Sequence, residues 1–586
     1  MNETAQTSGS AIFKQWEWMK GYTGSIFADD LLAAVVVTIL LVPQSLAYAM
    51  LAGLPPQIGI YVSILPLVAY ALFGSSKHLN VGPTAVISLM TAAVVYTLPD
   101  ETKLLSAAAL ALMTGVMLLG AGLLKAGSIM NFVSRPVVSA YITGAALLII
   151  ISQLKHVLGI PAAGTTALEL LRELSSGLSN MHWLAVTTGF VAILLFLIVR
   201  SVLPLMLVKA GMKSRWAKLI ARMAPIVIIA AFVLTSALLK FSEKFGLRVV
   251  GEIPSGLPPL TFPMLSQGDL QILVVPAIVI AIVAFVDSTS TAQELASRTR
   301  GRIDSNKELL GLGASNVVAG LTGGYPINGS MSRSAVNFTA GGKTPAVGLL
   351  VAGMMALTAV FLTPVLQSLP LSVLAALIIV ACFNLLDFPS LWKTWVYSRA
   401  DGITAIATFL SVLLLGVQWG VLVGVVLAMA LHIRATLQPH MPLVGRFPGT
   451  EHYRDANRFV VETDEKVKTL RIDESLYYAN ARYLENKVAE IVADSPEMTD
   501  LVIMCTAVAR IDASALSSLE TINNRLKSAG IRLHFSDMQS RVRERLFRSD
   551  FLDKLTGQIF LSQHEAMQNL QPEPDWSTFS DHIDIH

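Results

Sequence analysis

The feature that most constrains this chain is a series of apolar stretches that recurs from about Leu31 to Ile433. Lipid offers backbone N–H and C=O groups no hydrogen-bond partner, so such stretches cross a membrane as helices or as a closed barrel. Their length and their lack of strict alternation favour helices. The pattern predicts fourteen segments, at 31–51, 58–74, 82–97, 104–124, 136–154, 182–201, 225–240, 271–293, 307–322, 331–341, 345–367, 370–386, 401–416 and 418–433.

Composition supports an integral membrane protein and argues against an enzyme. Of 586 residues, 53% are hydrophobic and 14% are charged, whereas soluble domains carry about 25% charged residues. The two cysteines exclude a disulfide framework. The run 341–344 resembles the end of a phosphate-binding loop, but Asn337 stands where that motif needs glycine, which excludes an ATPase. Neither a His/Cys metal-ligand cluster nor a nucleophile–base pair is evident, and nothing indicates nucleic-acid binding.

Two of the predicted segments are too short to span a bilayer as helices alone. They are 82–97 and 331–341, the third of the first seven and the third of the second seven. Each follows a break, Asn80 to Thr84 in one case and Asn328 to Ser330 in the other. Short, broken segments at matching places in two halves indicate an inverted repeat with a binding site between them. Because each half has an odd number of segments, the two repeats are antiparallel.

The second break is followed by hydroxyls and one cation. Ser330, Ser332 and Arg333 come directly after it. A half-helix that starts there would direct free N–H groups and its positive dipole end at a cavity. An arginine at bilayer depth costs roughly 2.5–3.5 kcal/mol on insertion scales and needs a partner or a function. These features predict an oxyanion site; the alternative is a loop with a snorkelling arginine.

Two further pairs of polar residues lie one helical turn apart inside apolar segments. Asp287 and Thr291 would present a carboxylate and a hydroxyl on one face, which suits a monovalent cation. Asp287 could also carry a proton or pair with Arg333 as a structural ion pair. Gln44 and Tyr48 follow a helical proline and can both donate hydrogen bonds to an anion. The alternative for this second pair is packing between helices.

The distribution of lysine and arginine sets the expected orientation. The link 200–222 carries six basic residues and no acid, and the link after the eighth segment is also basic. Both links lie on the N-terminal side if fourteen segments are counted. The positive-inside rule then places the N-terminus in the cytoplasm, and the even count places the C-terminus there too.

Hydrophobicity ends after Arg434, and a different type of domain follows. Three prolines between 439 and 448 indicate a linker, and strands alternating with helices then predict a small α/β domain. The expected strands are 467–472, 501–504 and 531–535, and the expected helices are 479–492 and 515–529. The predicted divisions are an N-terminal segment 1–30, a transmembrane domain 31–434, a linker 435–458, the α/β domain 459–570 and a polar tail 571–586.

Several motifs together resemble the SulP family of anion transporters, relatives of the animal sulfate and anion exchangers and of prestin. The C-terminal domain resembles a STAS domain, named for sulfate transporters and anti-sigma factor antagonists. The resemblance covers nearly the whole chain. The motifs that carry it are VPQSLAYA at 42–49, VGPTA at 81–85, the segment around Asp287, NKEL at 306–309, GSMSRSAVN at 329–337 and GKTP at 342–345.

The resemblance implies a specific architecture. It is an α-helical polytopic membrane protein with fourteen transmembrane segments in a seven-plus-seven inverted repeat, followed by a cytoplasmic STAS domain. A core domain (segments 1–4 and 8–11) would move against a gate domain (segments 5–7 and 12–14) in an elevator motion. Family members usually form homodimers in the inner (plasma) membrane. The anion would lie between the N-termini of the third and tenth segments, at Gln44, Tyr48, Thr84, Ala85, Ser330, Ser332 and Arg333.

The chain departs from the common family pattern at Asp287. Many members have glutamate there, and in plant sulfate carriers that glutamate is linked to proton coupling. Aspartate followed by Thr291 looks more like the sodium-dependent bicarbonate branch, which implies a sodium site at Asp287, Thr291, Gly329 and Ser330. The run 329–334 looks more like the sulfate permeases. The coupling ion is therefore expected to be H⁺ or Na⁺, with no other cofactor.

The STAS resemblance places Ser514 where anti-sigma antagonists carry a phosphorylated serine. A phosphate at a helix start would add about −1.5 to −2 charges, which the helix dipole tolerates. The alternative is a helix N-cap made by Asp512 or Ser514. STAS domains are also interaction modules, so a cytoplasmic protein partner is a further expectation.

The expected function is secondary active transport of small inorganic oxyanions, with sulfate the first candidate. A sodium–bicarbonate symporter on the same fold is the nearest alternative. An anion sensor that signals through the STAS domain is an alternative of another class. The sensor would bind the anion without net flux.

Overall fold

The computed structural model describes residues 17–96, 98, 99, 101–127, 134–252, 254, 256–264 and 267–571. The chain divides into two compact units, residues 1–428 and 429–586. The first unit is helical apart from two short strands, and the second contains a five-stranded sheet. The predicted tail lies outside the described residues except for Gln571.

The first half of the helical unit contains the first seven predicted segments. Segment two is divided between two short helices that meet near Ile64, and segment six continues past Ser201 into a short helix at Pro204. The elements are α1 (Glu17–Lys20), α2 (Gly24–Leu51), α3 (Pro56–Tyr61), α4 (Leu65–Phe73), β1 (Val81–Gly82), α5 (Ala85–Val95), α6 (Lys103–Leu123), α7 (Arg135–Leu158), α8 (Ala167–Gly177), α9 (Trp183–Ser201), α10 (Leu203–Lys209), α11 (Ser214–Leu239) and α12 (Phe241–Phe245).

The second half repeats this order. Segment eleven is interrupted by a π-helical turn at Thr358–Leu362, which is followed by Pro364. The elements are α13 (Gln267–Arg298), α14 (Ser305–Leu321), β2 (Asn328–Gly329), α15 (Met331–Ala340), α16 (Ala346–Leu357), α17 (Thr363–Leu366), α18 (Leu371–Cys382), α19 (Phe388–Tyr397), α20 (Arg399–Leu415) and α21 (Val417–Leu437). All fourteen predicted segments are present, in the predicted order.

Three details differ from the sequence prediction. The first long helix begins at Gly24, inside the predicted 1–30 segment, because the Oγ1 of Thr23 caps it by accepting from the Ile26 N–H at 3.4 Å. Helices α8 and α19 were not predicted. In α8 a capping box between Thr166 and Glu169 starts a short helix that buries only one face. Short amphipathic helices of this kind give no spanning signal.

The apolar helices fit a membrane protein. Among the described residues, eight helices are long and apolar enough to cross a membrane. The other six predicted segments, α5, α11, α14, α15, α18 and α20, are shorter or more polar. Helices α5 and α15 are 11 and 10 residues long, so each is about 15 Å in length. That is roughly half of the ~30 Å hydrocarbon core, as the sequence predicted.

Glycines let helix backbones approach closely in this unit. A Cβ on Gly115 of α6 would lie 2.5 Å from the backbone N of Val317 in α14, so only glycine fits there. At the other end of the unit, a Cβ on Gly420 of α21 would lie 2.6 Å from the Cα of Val412 in α20. The small residue at this position thus allows the last two segments to pack closely.

The second unit is an α/β domain. Its sheet has the order β4-β3-β5-β6-β7, parallel from β5 to β7 and antiparallel at β3 and β4. Leu470, Leu501 and Leu533, one from each parallel strand, are completely buried beneath the helices. The elements are β3 (Leu443–Arg446), β4 (Tyr453–Asp455), β5 (Val467–Arg471), α22 (Ala481–Asp494), β6 (Asp500–Met504), α23 (Ala513–Ser528), β7 (Arg532–Ser536), α24 (Ser540–Leu546), α25 (Phe551–Lys554) and α26 (Gln563–Leu570).

The predicted linker 435–458 needs correction. It contains β3 and β4, which form one edge of this sheet. Pro442 and Pro448 lie just outside β3, so neither removes an N–H group from the pairing. The strand is four residues long, and its register with Leu470 and Thr469 is set by long-range pairing. A local pattern of prolines could not show that pairing.

A buried histidine predicts how this domain responds to acid. His534 is 2% exposed; its Nε2 lies 2.9 Å from Asp500 Oδ1, and its Nδ1 accepts from the Gln558 N–H at 3.1 Å. Burial lowers the pKa of His534, although Asp500 opposes that shift. The unfolded chain therefore binds the proton first, and stability is lost as pH falls below about 6.5 through the folded pKa.

We expect thermal unfolding of the C-terminal domain to shift to lower temperature between pH 7 and pH 5, and His534→Gln to flatten that slope. Circular dichroism melts at several pH values measure it. The matched control is His452→Gln, because His452 is exposed. An equal slope in the His534 variant and the wild type would contradict the assignment.

Candidate functional site

The centre of the helical unit is a crossing of two extended segments. Strands β1 and β2 pair antiparallel, with Val81 opposite Gly329 and Gly82 opposite Asn328. Helices α5 and α15 start directly after them, and neither N-cap side chain accepts from a backbone N–H of its own helix. Two half-helix N-termini, each with open N–H groups, therefore meet at one place. This arrangement attracts an anion.

A cavity of about 630 Å³ lies beside this crossing. Its walls come from both predicted helix groups, with Gln44 on the core side and Tyr141 on the gate side. The Gln44 Oε1 is buried and has no hydrogen-bond partner among the described residues. Six of the seven predicted substrate residues line the cavity: Gln44, Tyr48, Thr84, Ala85, Ser330 and Ser332.

The seventh, Arg333, takes a different position from the one predicted. It does not line the cavity and is completely buried. Its Nε donates to Asn80 Oδ1 at 2.8 Å, and its Nη1 donates to the Pro83 carbonyl at 2.9 Å. Its Nη2 is buried without a partner among the described residues. Because consecutive helical positions differ by about 100°, Ser332 faces the cavity and Arg333 faces the start of α5.

The predicted Asp287–Arg333 ion pair is absent from the described structure. Asp287 instead accepts a hydrogen bond from the amide Nδ2 of Asn328 at 2.6 Å. The Oδ1 of the same amide accepts from the Thr84 hydroxyl at 2.5 Å. A single amide therefore connects the carboxylate of α13 to the N-cap of α5. The guanidinium of Arg333 has no carboxylate partner among the described residues.

The four residues predicted to bind a coupling ion are separated, with Ser330 at the cavity as described above. Asp287 and Gly329 line the cavity, whereas Thr291 is buried one turn farther along α13 and does not. The Gly329 N–H donates to the Ser288 hydroxyl at 2.7 Å. This bond fixes β2 to α13. Asp287 is therefore connected to the crossing of β1 and β2, whereas Thr291 lies away from it.

Sequence reasoning missed three residues of this site. Asn328 and Ser288 are polar residues next to predicted ones, and their positions in the break and beside Asp287 were the only available signals. Arg200 also lines the cavity, where its Nη1 lies 3.4 Å from the Val380 carbonyl oxygen. The sequence pattern assigned it to the basic link 200–222, whereas it lies in the last turn of α9.

The motif 341–344 binds a carboxylate in this fold. The Lys343 N–H donates to Asp30 Oδ1 at 2.7 Å, and the Thr344 hydroxyl donates to Asp30 Oδ2 at 2.5 Å. The Lys343 ammonium pairs with Asp29 at 2.6 Å. The turn after α15 is thereby fixed to the first turns of α2.

A second buried carboxylate connects two other core helices. Glu308 of α14 accepts from the Tyr70 hydroxyl at 2.7 Å, the Ser75 N–H at 2.9 Å, the Ser75 hydroxyl at 2.6 Å and the Ser76 N–H at 3.0 Å. These four bonds link the end of α4 to the start of α14. Removing the carboxylate would leave all four donors without this acceptor.

We therefore expect Glu308→Ala to destabilise the helical unit by about 3 kcal/mol, since each buried unsatisfied donor costs about 1–3 kcal/mol. Glu308→Gln should cost less, because one amide oxygen remains as an acceptor. Fluorescence-detected size-exclusion chromatography after heating measures the change. Glu294→Ala is the control, because Glu294 is half exposed and pairs only with Arg298 on the surface. Equal melting temperatures for Glu308→Ala and the control would contradict this role.

In the C-terminal domain, the start of α23 shows which residue is the helix N-cap. Asp512 is the N-cap, since its Oδ1 accepts from the Ala515 N–H at 2.9 Å and its Oδ2 accepts from the Tyr478 N–H at 2.9 Å. Partial burial would raise the pKa of Asp512, but these backbone hydrogen bonds lower it. Ser514 is exposed in the first turn. The capping role belongs to Asp512, and Ser514 is free of it.

Comparison with known proteins matches both parts of the chain. The model of the sulfate permease family covers residues 27–408, and that of the STAS domain covers residues 458–566. The chain belongs to the sulfate permease family. Strands β3 and β4 lie outside the residues matched to the STAS domain.

Two proteins similar to this chain are named sulfate transporters. A protein named probable sulfate transporter in Mycobacterium tuberculosis is 32% identical, and the alignment covers 97% of this chain and 98% of that protein. The chloroplastic sulfate transporter 4.1 of Arabidopsis thaliana is 31% identical, with 95% of this chain and 82% of that protein covered.

Solved structures show the same fold. The murine solute carrier 26 family member A9 anion transporter, in an inward-facing state, matches with a TM-score of 0.87 at 23% identity, over 98% of this chain and 96% of that one. The transmembrane domain of a cyanobacterial bicarbonate transporter, BicA, matches with a TM-score of 0.58 at 24% identity, over 70% of this chain and 98% of that one. The architecture predicted from the sequence, a seven-plus-seven inverted repeat followed by a STAS domain, is confirmed.

Proposed function

We propose that this member of the sulfate permease family is a secondary active carrier of inorganic oxyanions, with sulfate as its first substrate. The observation that carries the proposal is the buried guanidinium of Arg333, which lies beside two half-helix N-termini and has no carboxylate partner among the described residues. A buried, unpaired cation is costly. An anion at the crossing would offset that cost. The names of the similar family members also support sulfate.

The anion in this proposal lies in the cavity, at the starts of α5 and α15. The open N–H groups of both first turns replace its water, and the hydroxyls of Ser330 and Ser332 add hydrogen bonds. Gln44 and Tyr48 close the site from α2. Arg333 acts from behind the crossing as a fixed positive charge, since its guanidinium is held by Asn80 and Pro83.

Coupling to a second ion runs through Asn328 in this proposal. While Asp287 is ionised it accepts from the Asn328 amide, which in turn holds the Thr84 hydroxyl as a donor. A proton on Asp287 lets the carboxyl donate, so the amide can turn its oxygen toward Asp287. Thr84 then loses its acceptor, and its O–H becomes available to the anion. Binding of the proton and of the oxyanion thus favour each other.

The cavity walls support an elevator movement. The core helices supply Gln44 and Ser330, whereas the gate helices supply Tyr141, Phe196 and Leu377. These three residues are apolar apart from one phenol, and the gate cation Arg200 contacts the Val380 carbonyl within the gate group. The core can therefore slide past the gate without breaking ion pairs. Both hydrogen-bonded crossing strands move with the core.

The carrier resides in the inner (plasma) membrane as a homodimer, with both termini in the cytoplasm. The STAS domain contacts a cytoplasmic protein partner, and the exposed Ser514 is a candidate phosphorylation site. No cofactor is required beyond the coupling ion, H⁺ or Na⁺.

A sodium–bicarbonate symporter is the second candidate. The observation that favours it is Asp287 itself, a carboxylate at the cavity that accepts a hydrogen bond from an amide and pairs with no cation among the described residues. Such a carboxylate can bind Na⁺ with the help of nearby oxygen atoms. The separation of Thr291 from the cavity weakens the sodium site that the family resemblance implies.

Uptake into proteoliposomes tests both candidates. Labelled sulfate and labelled bicarbonate are each supplied with a proton gradient, with a sodium gradient and with neither. Proton-driven sulfate uptake is the expected result. Sodium-driven bicarbonate uptake would establish the second candidate instead. Binding of either anion without flux would overturn transport and favour a sensor.

A further inference from the structure

A second cavity lies where α7 ends and α9 and α18 begin, away from the central cavity. Its volume is about 210 Å³, and it shares no lining residue with the central cavity. A water molecule takes about 30 Å³ of liquid, so a small oxyanion and several waters fit. Four basic residues line it, Lys155, His156, His182 and Arg248, and no carboxylate does.

The backbone around Arg248 is fixed. The Leu371 N–H donates to the Arg248 carbonyl at 3.0 Å, and the Val250 N–H donates to the Leu369 carbonyl at 2.9 Å. These two bonds hold the segment after α12 against the start of α18. Neither the Arg248 guanidinium nor the His156 ring bonds another described side chain. Their donors are therefore available to a ligand.

The other two basic residues are positioned by hydrogen bonds. His182 Nδ1 accepts from the Ala185 N–H at 3.3 Å, so Nε2 carries the hydrogen and donates to the Phe245 carbonyl at 2.8 Å. Both ring nitrogens of His182 are thus occupied, and the ring forms a wall of the cavity. Lys155 uses one ammonium hydrogen on the Ala162 carbonyl at 3.3 Å. The ammonium also lies over the Tyr96 ring, 5.9 Å from its centroid, and a bound anion could accept from a hydrogen that does not donate to Ala162.

The start of α18 adds to the positive field. Leu371 and Ser372, the first two residues of this helix, line the cavity. Lys155 and Arg248 are positive at neutral pH, and the helix N-terminus has the same sign. Like charges around one concave space repel each other, and an anion bound between them offsets that repulsion.

We propose that this cavity is a second oxyanion site, one that remains with the gate helices and is not transported. All four lining segments, α7, α9, the chain after α12 and α18, belong to the gate group. The oxyanion is either free in solution or the phosphate of a lipid headgroup, since both present the same charged oxygens.

The site is placed to regulate the carrier. Lys155 and His156 also line a small neighbouring cavity together with Leu51 at the end of α2 and Tyr96 at the end of α5. These two basic residues therefore lie between the gate and core groups. An anion bound beside them screens the charge of Lys155 and changes the balance between open and closed states at this end.

Equilibrium binding of labelled sulfate to the purified full-length protein tests the site. In the Arg333→Ala protein, one saturable sulfate site is expected to remain, whatever the outcome of the uptake assay. Adding Lys155→Gln and Arg248→Gln should weaken that site about tenfold or more, since two charge-assisted contacts are lost. Arg172→Gln is the matched control, because Arg172 is an exposed cation of α8 outside the cavity.

Two further arms complete the test. If Arg333→Ala does not fold, the count of sulfate sites should drop from two in the wild type to one in the Lys155→Gln/Arg248→Gln protein. Phosphatidylglycerol that displaces sulfate from this site identifies the lipid phosphate as the occupant; no displacement identifies the free anion. A single sulfate site that the cavity variants leave unchanged would overturn the proposal.

Discussion

Arg333→Ala is expected to lower sulfate uptake by about 100-fold or more. The guanidinium has two roles. It fixes the crossing through Asn80 and the Pro83 carbonyl, and it is the positive charge beside both half-helix N-termini. Losing two charge-assisted contacts removes roughly 3 kcal/mol, which corresponds to about two orders of magnitude. Uptake rates in proteoliposomes measure the effect.

Two comparison variants separate charge from geometry. Arg333→Lys keeps the charge but cannot make both hydrogen bonds, so partial uptake is expected. Arg298→Ala removes an exposed cation that pairs with Glu294, and uptake should remain normal. All variants must elute at the wild-type position in size-exclusion chromatography. Wild-type uptake in folded Arg333→Ala protein would refute the proposed site.

Asp287→Asn is expected to uncouple uptake from its driving ion. Unlike a carboxylate, an amide cannot take up and release a proton at physiological pH, and it binds a cation poorly. The ratio of uptake with a gradient to uptake without one should therefore fall to about 1. Downhill exchange of sulfate should continue, because the anion donors of α5 and α15 remain. The measurement is sulfate uptake at equal external and internal sulfate, with and without the gradient.

The control for this variant lies on the same helix. Glu294→Gln makes the same chemical change two turns farther along α13, at a half-exposed position, and should leave coupling intact. Asn328→Leu breaks the connection between Asp287 and Thr84, so it should uncouple uptake as Asp287→Asn does. Full gradient dependence in Asp287→Asn would exclude a coupling role for this carboxylate.

The central site shows for which kinds of residue the position in the fold can be predicted from the sequence. Hydroxyls that follow a helix break lie at a helix N-terminus wherever the helix goes, and Thr84, Ser330 and Ser332 do line the central cavity. Arg333 was not placed correctly, because a long side chain can extend toward several acceptors. Its partners, Asn80 and Pro83, are about 250 residues away.

The C-terminal domain gives a parallel case. Strands β5, β6 and β7 are apolar runs and were predicted within a few residues of their bounds. Strand β3 has four residues and lies between prolines, so its local pattern is that of a loop. It becomes a strand because it pairs with β5 on one side and β4 on the other. Pairing partners distant in sequence leave no periodicity to detect.

The sequence alone determined that this protein spans a membrane with fourteen segments in two antiparallel halves, and that both halves break at the third segment. These properties follow from local hydrophobicity and from backbone breaks, which each segment carries within itself. Only the tertiary structure decided that Asn328 joins Asp287 to Thr84 and that Arg333 stays behind the crossing. The physical reason is that a hydrogen-bond partner is chosen by proximity in space, which the packing of distant segments creates.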